Sequence, residues 1–124
     1  DQLLVAAGQW FDKPVGLDAA RQQLRFLRGR MHTLATAVCV VLAGTVQWRA
    51  VSEPRLTMRH FSDAFLDAYI AAEGQTLLSS VGACRLEGRG AQLFSRIEGD
   101  HFAILGLPLV ELLNYLRERG AIPR

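Results

Sequence analysis

The sequence predicts a single α/β domain, a mixed sheet flanked by helices. Three observations carry that expectation. At 124 residues the chain is long enough to bury one core and too short for two. Half of its residues are apolar, in runs that alternate at period two and runs that recur at helical spacing. Those runs follow the order strand, helix, three strands, helix, loop and strand, helix, which interleaves the two kinds.

Each element has its own warrant. "QLLVAA" (2–7) and "GQW" (8–10) read as a strand, a glycine-centred turn and a short return strand. In "LDAARQQLRFLRG" (17–29), Leu17, Ala20, Leu24 and Leu27 fall on helical spacing. Asp18 lies early in that run, arginines lie late, and Gly29 suits the C′ position. Residues 31–51 read as two extended runs joined around Gly44, a hairpin. The apolar stretch 34–43 within it reads as a buried strand, with Cys39 a buried free thiol.

Glu53 and Pro54 interrupt the pattern, after which "RLTMRHF" (55–61) alternates Leu56, Met58 and His60 on one face. Ser62 is placed to cap "DAFLDAYIAAEG" (63–74), with Phe65, Ala68, Tyr69 and Ala72 as the buried stripe and Gly74 as the stop. Residues 75–106 are punctuated by glycine, and "AQLFSRI" (91–97) is the best strand there. Pro108 at the first helical position opens "PLVELLNYLRERG" (108–120), where Leu109, Leu112, Leu113 and Leu116 share a face.

Composition narrows the function classes. No apolar run approaches the roughly 18 residues of a membrane span. A net charge of +2 and a pI near 8.9 are too mild to argue for nucleic acid. Cys39 and Cys84 lack metal-type spacing, and no secretory signal precedes them, so a reducing, cytoplasmic setting is expected. Mean hydropathy is +0.14, high for so small a domain. A partner surface, such as a homodimer contact, or a further segment would account for it. The chain opens inside an element, without an initiator Met, and is expected to be the later part of a longer domain.

Three segments set polar residues among apolar ones. Asp1 and Gln2 begin the first strand, "FDKP" (11–14) follows the turn that leaves it, and "GACRLEGRG" (82–90) carries Arg85 and Glu87 among glycines. Glycines let a backbone approach a ligand closely. Lys13 is the only lysine among fourteen Lys plus Arg, which singles it out where arginine is the usual cation. A strand-and-return hairpin brings an acid and a lysine at this spacing together. A carboxylate there can hold a divalent ion or orient water, and a lysine offers a compact charge to phosphate oxygens. His32, His60 and His101 are too scattered for a zinc site, and His60 reads as a strand or cap residue. Glu98 and Asp100 read as turn formers, and Arg21, Arg25 and Arg28 as a solvated helix face.

In order, these segments resemble the Maf family of nucleoside triphosphate pyrophosphatases, named for septum-formation inhibition. The resemblance rests on Asp1-Gln2, "DKP" (12–14), "LRGRMHTLATAV" (27–38), "LEGRGA" (86–91), "RIEGD" (96–100) and "GLPL" (106–109), six segments in register across the chain. It implies a Maf/ITPase-like elongated mixed sheet flanked by helices, with an active-site cleft between two lobes. It also implies that residues 1–124 are the later part of one domain, whose phosphate-binding loop precedes Asp1. Residues 1–124 alone are therefore expected to be inactive.

The activity implied is hydrolysis between the α- and β-phosphates of a nucleoside triphosphate with Mg²⁺ or Mn²⁺, yielding a monophosphate and pyrophosphate. By the resemblance, Asp1 is the general base and metal ligand and Lys13 neutralises the triphosphate. Gln2 and Glu87 match the positions that separate subgroups. Both agree with the 7-methyl-GTP branch, since a carboxylate suits a cationic methylated guanine. Asp12 stands where the family usually has Gly, beside Lys13, and Leu86 stands where Ser often precedes the Glu. The alternative expectation is a catalytically inactive regulator of cell division that binds nucleotide, or nucleic acid through Arg21, Arg25, Arg28 and Arg30.

Overall fold

The structure, a computed structural model, describes residues 1–124. Six strands form one sheet: β1 (Gln2–Ala6), β2 (Gln9–Phe11), β3 (Met31–Leu42), β4 (Thr45–Ser52), β5 (Arg55–Met58) and β6 (Phe94–Glu98). Four helices accompany it: α1 (Leu17–Leu27), α2 (Asp63–Glu73), α3 (His101–Leu105) and α4 (Leu109–Glu118). The α/β expectation of a sheet flanked by helices holds, with one refinement. Every strand pair is antiparallel, so the sheet is not mixed.

The twelve-residue β3 organises the sheet. Along one edge, Thr33 to Thr36 pair with Val5 to Gln2 of β1. Along the other edge, Met31 to Thr33 pair with β5 and Thr36 to Leu42 with β4. Pro54 separates those two partners, yet its carbonyl still accepts from the Leu34 N–H at 3.0 Å. A proline tolerates this place because the bond uses its C=O and not the missing N–H.

Side chains opposite one another in a ladder share a face. The pairs Leu4–Leu34, Gln2–Thr36 and His32–Leu56 therefore look to one side, and that side holds the core. Leu4, Leu24, Leu27, Leu56, Leu66, Leu77 and Leu93 are fully or almost fully buried there. Helices α1 and α2 cover that core. Farther along β3, the same face is covered by α3 and α4, where Trp48 of β4 stacks on Tyr115 of α4 at 4.9 Å. Two helical groups on one sheet face leave a cleft between them, consistent with the two-lobed expectation.

The opposite face carries much of the surplus apolarity. Trp10 is 76% exposed and Val51 62%, with Met31, Val41 and Val46 about half exposed. This corrects two readings. The run 34–43 is buried only in its first half, since the end of β3 runs out with β4 as a two-stranded ribbon, and Cys39 is exposed on it. His60 does not extend the Leu56–Met58 face, because β5 ends at Met58 and His60 is exposed, its ring lying over Gly29.

The α1 stripe holds: Ala20, Leu24 and Leu27 are buried. In α2 the stripe is rotated from the expected one. Leu66, Tyr69 and Ile70 are buried while Ala68 and Ala72 are exposed. Apolar packing on the core sets that face, and exposed ion pairs with α1 accompany it. Asp63 and Asp67, one turn apart, face α1, where Arg28 pairs with Asp63 at 2.8 Å, Arg25 at 3.7 Å, and Arg21 pairs with Asp67. That arginine row is thus a helix–helix contact that remains partly solvated. Ser62 caps α2 as expected, accepting from the Phe65 N–H at 3.0 Å. Pro108 sits one position before α4; Gly74–Ser79, Val81–Ala83 and Arg89–Leu93 form short 3₁₀ turns, so the strand expected over 91–97 begins only at Phe94.

Candidate active site

The cleft holds a cavity of about 300 Å³, at the lower end of the usual range for small-molecule sites. All four sequence-predicted site residues, Asp1, Gln2, Lys13 and Glu87, line it. They arrive from three separate places. Asp1 and Gln2 begin β1, Lys13 follows β2, and Glu87 rides the loop between the 3₁₀ turns. Leu34, Leu56 and Phe94 supply an apolar floor, and Ile104 and Leu105 close one side.

Asp1 is held by main-chain pairing at the end of the sheet. The Ala37 N–H donates to its carbonyl at 2.8 Å, and its own main-chain nitrogen donates to the Ala37 carbonyl at 3.0 Å. Its carboxylate makes no ion pair within residues 1–124. Lys13 is likewise unpaired, so Asp12 does not neutralise it. Asp12 instead serves α1, its carbonyl accepting from Gln23 Nε2 at 2.9 Å. An unpaired acid and an unpaired lysine on one cavity wall leave both charges available to a ligand.

Gln2 is the most constrained of the four. Its Nε2 lies 3.1 Å from Thr36 Oγ1, 3.1 Å from the Ala103 carbonyl and 2.9 Å from the Ile104 carbonyl. Carbonyls only accept, so they fix the amide orientation and leave Oε1 as its free acceptor. Thr36, fully buried, donates to the same Ala103 carbonyl at 2.9 Å. Together they fasten the end of α3 to the sheet beside the cavity. Nothing in the sequence singles out Thr36 or α3 for the site, and Asp100, a turn former by its sequence context, caps α3 through its carboxylate at the Phe102 and Ala103 N–H groups.

Glu87 pairs with Arg85 at 3.9 Å, and Arg85 lines the same cavity. The wall behind them is tied to the core. Buried Tyr69 donates to the Ala83 carbonyl at 3.2 Å, and burial lifts its hydroxyl well above the usual phenol range. Burial also pushes the Cys84 thiol up to about 12, keeping it protonated. Nowhere do three or more His, Cys, Asp or Glu side chains gather as a metal cage. Mg²⁺ is commonly held through one or two carboxylates plus substrate phosphates, and the unpaired Asp1 fits that pattern.

The Maf-like protein family matches residues 1–119 of this chain. The chain belongs to the Maf-like family. Among curated relatives, it is 51% identical over 123 residues to a nucleoside triphosphate pyrophosphatase of Hyphomonas neptunium, covering 99% of this chain and 62% of that protein. It is 53% identical over 122 residues to a second of that name from Granulibacter bethesdensis, covering 98% and 62%. It is 48% identical over 122 residues to a 7-methyl-GTP pyrophosphatase of Rhizobium meliloti, covering 98% and 61%. The chain thus spans about six-tenths of the length of these Maf-like relatives. No helix in it is long and apolar enough to cross a membrane.

Proposed function

We propose that the protein containing this chain is a nucleoside triphosphate pyrophosphatase that cleaves between the α- and β-phosphates. The observation that carries the reading is the convergence of Asp1, Gln2, Lys13 and Glu87 on one cavity with Asp1 and Lys13 free of internal ion pairs. The names of the Maf-like relatives supply the reaction class.

In this reading Asp1 accepts a proton from the attacking water, whose oxygen forms the new bond to phosphorus. With attack at the α-phosphorus, the bond from that phosphorus to the α–β bridging oxygen breaks and its electron pair leaves with pyrophosphate, releasing the nucleoside monophosphate. Lys13 offers its ammonium to the phosphate oxygens, where charge builds as the bond breaks. Asp1 would also hold a divalent cation, Mg²⁺ or Mn²⁺, which when bound neutralises phosphate charge. Glu87 and Gln2 face the base, with Gln2 Oε1 as acceptor and Glu87 suited to a cationic ring such as 7-methylguanine. The two free cysteines support a reducing, cytoplasmic setting.

The test is a set of initial rates for the full-length protein on 7-methyl-GTP, dTTP, UTP, CTP and dITP with each metal. Pyrophosphate release is expected, greatest with 7-methyl-GTP, and Asp1→Asn should reduce it by roughly 100-fold or more. Unimpaired turnover in Asp1→Asn removes Asp1 from the mechanism. A preference for dTTP removes the reading of Gln2 and Glu87.

A further inference from the structure

We propose that Arg85 reads the nucleotide base jointly with Glu87, and that the pair selects a 6-oxopurine over adenine. The inference rests on the pyrophosphatase reading for the location of the nucleotide, and assigns a role to a side chain which that reading leaves idle.

The backbone at Arg85 is gripped from both sides. Before it, Ala83 is tied to buried Tyr69, and Cys84, partly buried, packs against the core. After it, the loop crosses back so tightly that a Cβ on Gly90 would fall 2.4 Å from the Arg85 carbonyl oxygen and 2.7 Å from its nitrogen. Only glycine permits that approach. The Gly88 N–H closes the turn onto the Arg85 carbonyl at 3.1 Å. The guanidinium therefore projects from a fixed base, and Glu87 follows two residues later at the cavity rim.

Their mutual contact is weak by design of its geometry. The Nη2–Oε1 separation is 3.9 Å, with the side chains 46% and 56% exposed. Exposed pairs of this kind contribute little, so a ligand can take both partners at small cost. The two then present a guanidinium donor beside a carboxylate acceptor at the edge of an apolar floor made by Leu34, Leu56 and Phe94.

A guanine-type edge is the complement of that arrangement. Its O6 accepts from a guanidinium, and its N1–H and N2–H groups donate to a carboxylate. Adenine reverses both places, setting an amino donor against Arg85 and a bare N1 against Glu87. Each mismatch leaves a polar group unpaired in the site, which is how such sites discriminate. The contact does not involve N7, so guanine and its 7-methyl form both satisfy it.

The test compares GTP, ITP and ATP on the full-length protein, both as kcat/KM for pyrophosphate release and as equilibrium affinity by calorimetry. Arg85→Gln should weaken GTP and ITP by roughly 10- to 100-fold, mostly through KM, while ATP changes little. Arg85→Lys should recover part of the loss, since a lysine still offers one donor. Arg89→Gln, in the same loop but outside the cavity lining, should leave the selectivity as it is. An equal loss for all three nucleotides, or no loss, overturns the inference. If no nucleotide is hydrolysed but affinity still shifts as described, the pyrophosphatase reading fails and the role of Arg85 stands.

Discussion

Two thiols in this chain live under opposite conditions, and the difference is measurable. Cys39 is exposed on the β3–β4 ribbon of this chain. Cys84 lies against the cavity wall, where burial pushes its thiol up to about 12. The thiolate is the reactive form, so a thiol held protonated and half-buried reacts slowly. Iodoacetamide at mildly alkaline pH should therefore modify Cys39 and spare Cys84 in the folded chain, with both modified after unfolding in urea. Peptide mass mapping reads the outcome, and rapid native labelling of Cys84 would contradict the burial. The sequence did mark Cys39 as apolar-flanked, but flanking residues report the strand and not what covers it.

At the scale of elements, the short helix α3 turns an ordinary-looking "EGD" turn into part of the site. Asp100 accepts from the Phe102 and Ala103 N–H groups, and the far end of the helix receives Gln2 and Thr36 at the Ala103 and Ile104 carbonyls. A five-residue helix has little stability of its own, so the cap and these side-chain bonds hold it jointly. Asp100→Ala should cost about 1 kcal/mol in urea unfolding. It should also loosen the Ile104–Leu105 side of the cavity and weaken nucleotide binding, whereas Asp100→Asn should retain most of the cap. Unchanged affinity in Asp100→Ala would show that α3 keeps its place without the cap. This coupling explains which parts were legible beforehand. Helix α1 could be read from Leu24 and Leu27 because one apolar stripe meets one core. Helix α2 could be read from its Ser62 cap and Gly74 stop. Its rotation could not, since the helix is apolar nearly all round and Leu66 and Ile70 are as apolar as the residues that stay exposed. Asp1, Lys13 and Glu87 were legible as outliers among their neighbours. Thr36 was not, because a threonine in a strand looks the same whether it packs or donates.

For the molecule as a whole, the most informative group is one that the proposed chemistry does not use. His32 lies in the middle of the core face, 1% exposed, with its ring 5.9 Å from that of Phe94. Neither ring nitrogen has a hydrogen-bond partner. Burial alone lowers its pKa from 6.5 to about 4, since a charged imidazolium there would lack both water and a counter-ion. In the unfolded chain the ring takes up a proton near pH 6.5, and in the folded chain it resists until about 4. Between those values the unfolded state binds more protons, so stability rises with pH. The contribution is complete above about pH 6.5, and it is lost as pH falls towards 4. Two and a half pKa units correspond to about 3 kcal/mol, a large share of what a small domain has. Asp63 acts in a separate window. The Arg28 hydrogen bond and charge hold its carboxyl below the usual range, so its contribution persists until pH falls below about 4. His32→Leu, close in volume and without a proton to gain, should therefore flatten the limb between about pH 6.5 and 4 and leave the lower limb in place. Urea midpoints taken at intervals across that range for both proteins decide the matter. If the two stability curves fall in parallel, the acid sensitivity of this fold lies elsewhere than in its buried histidine.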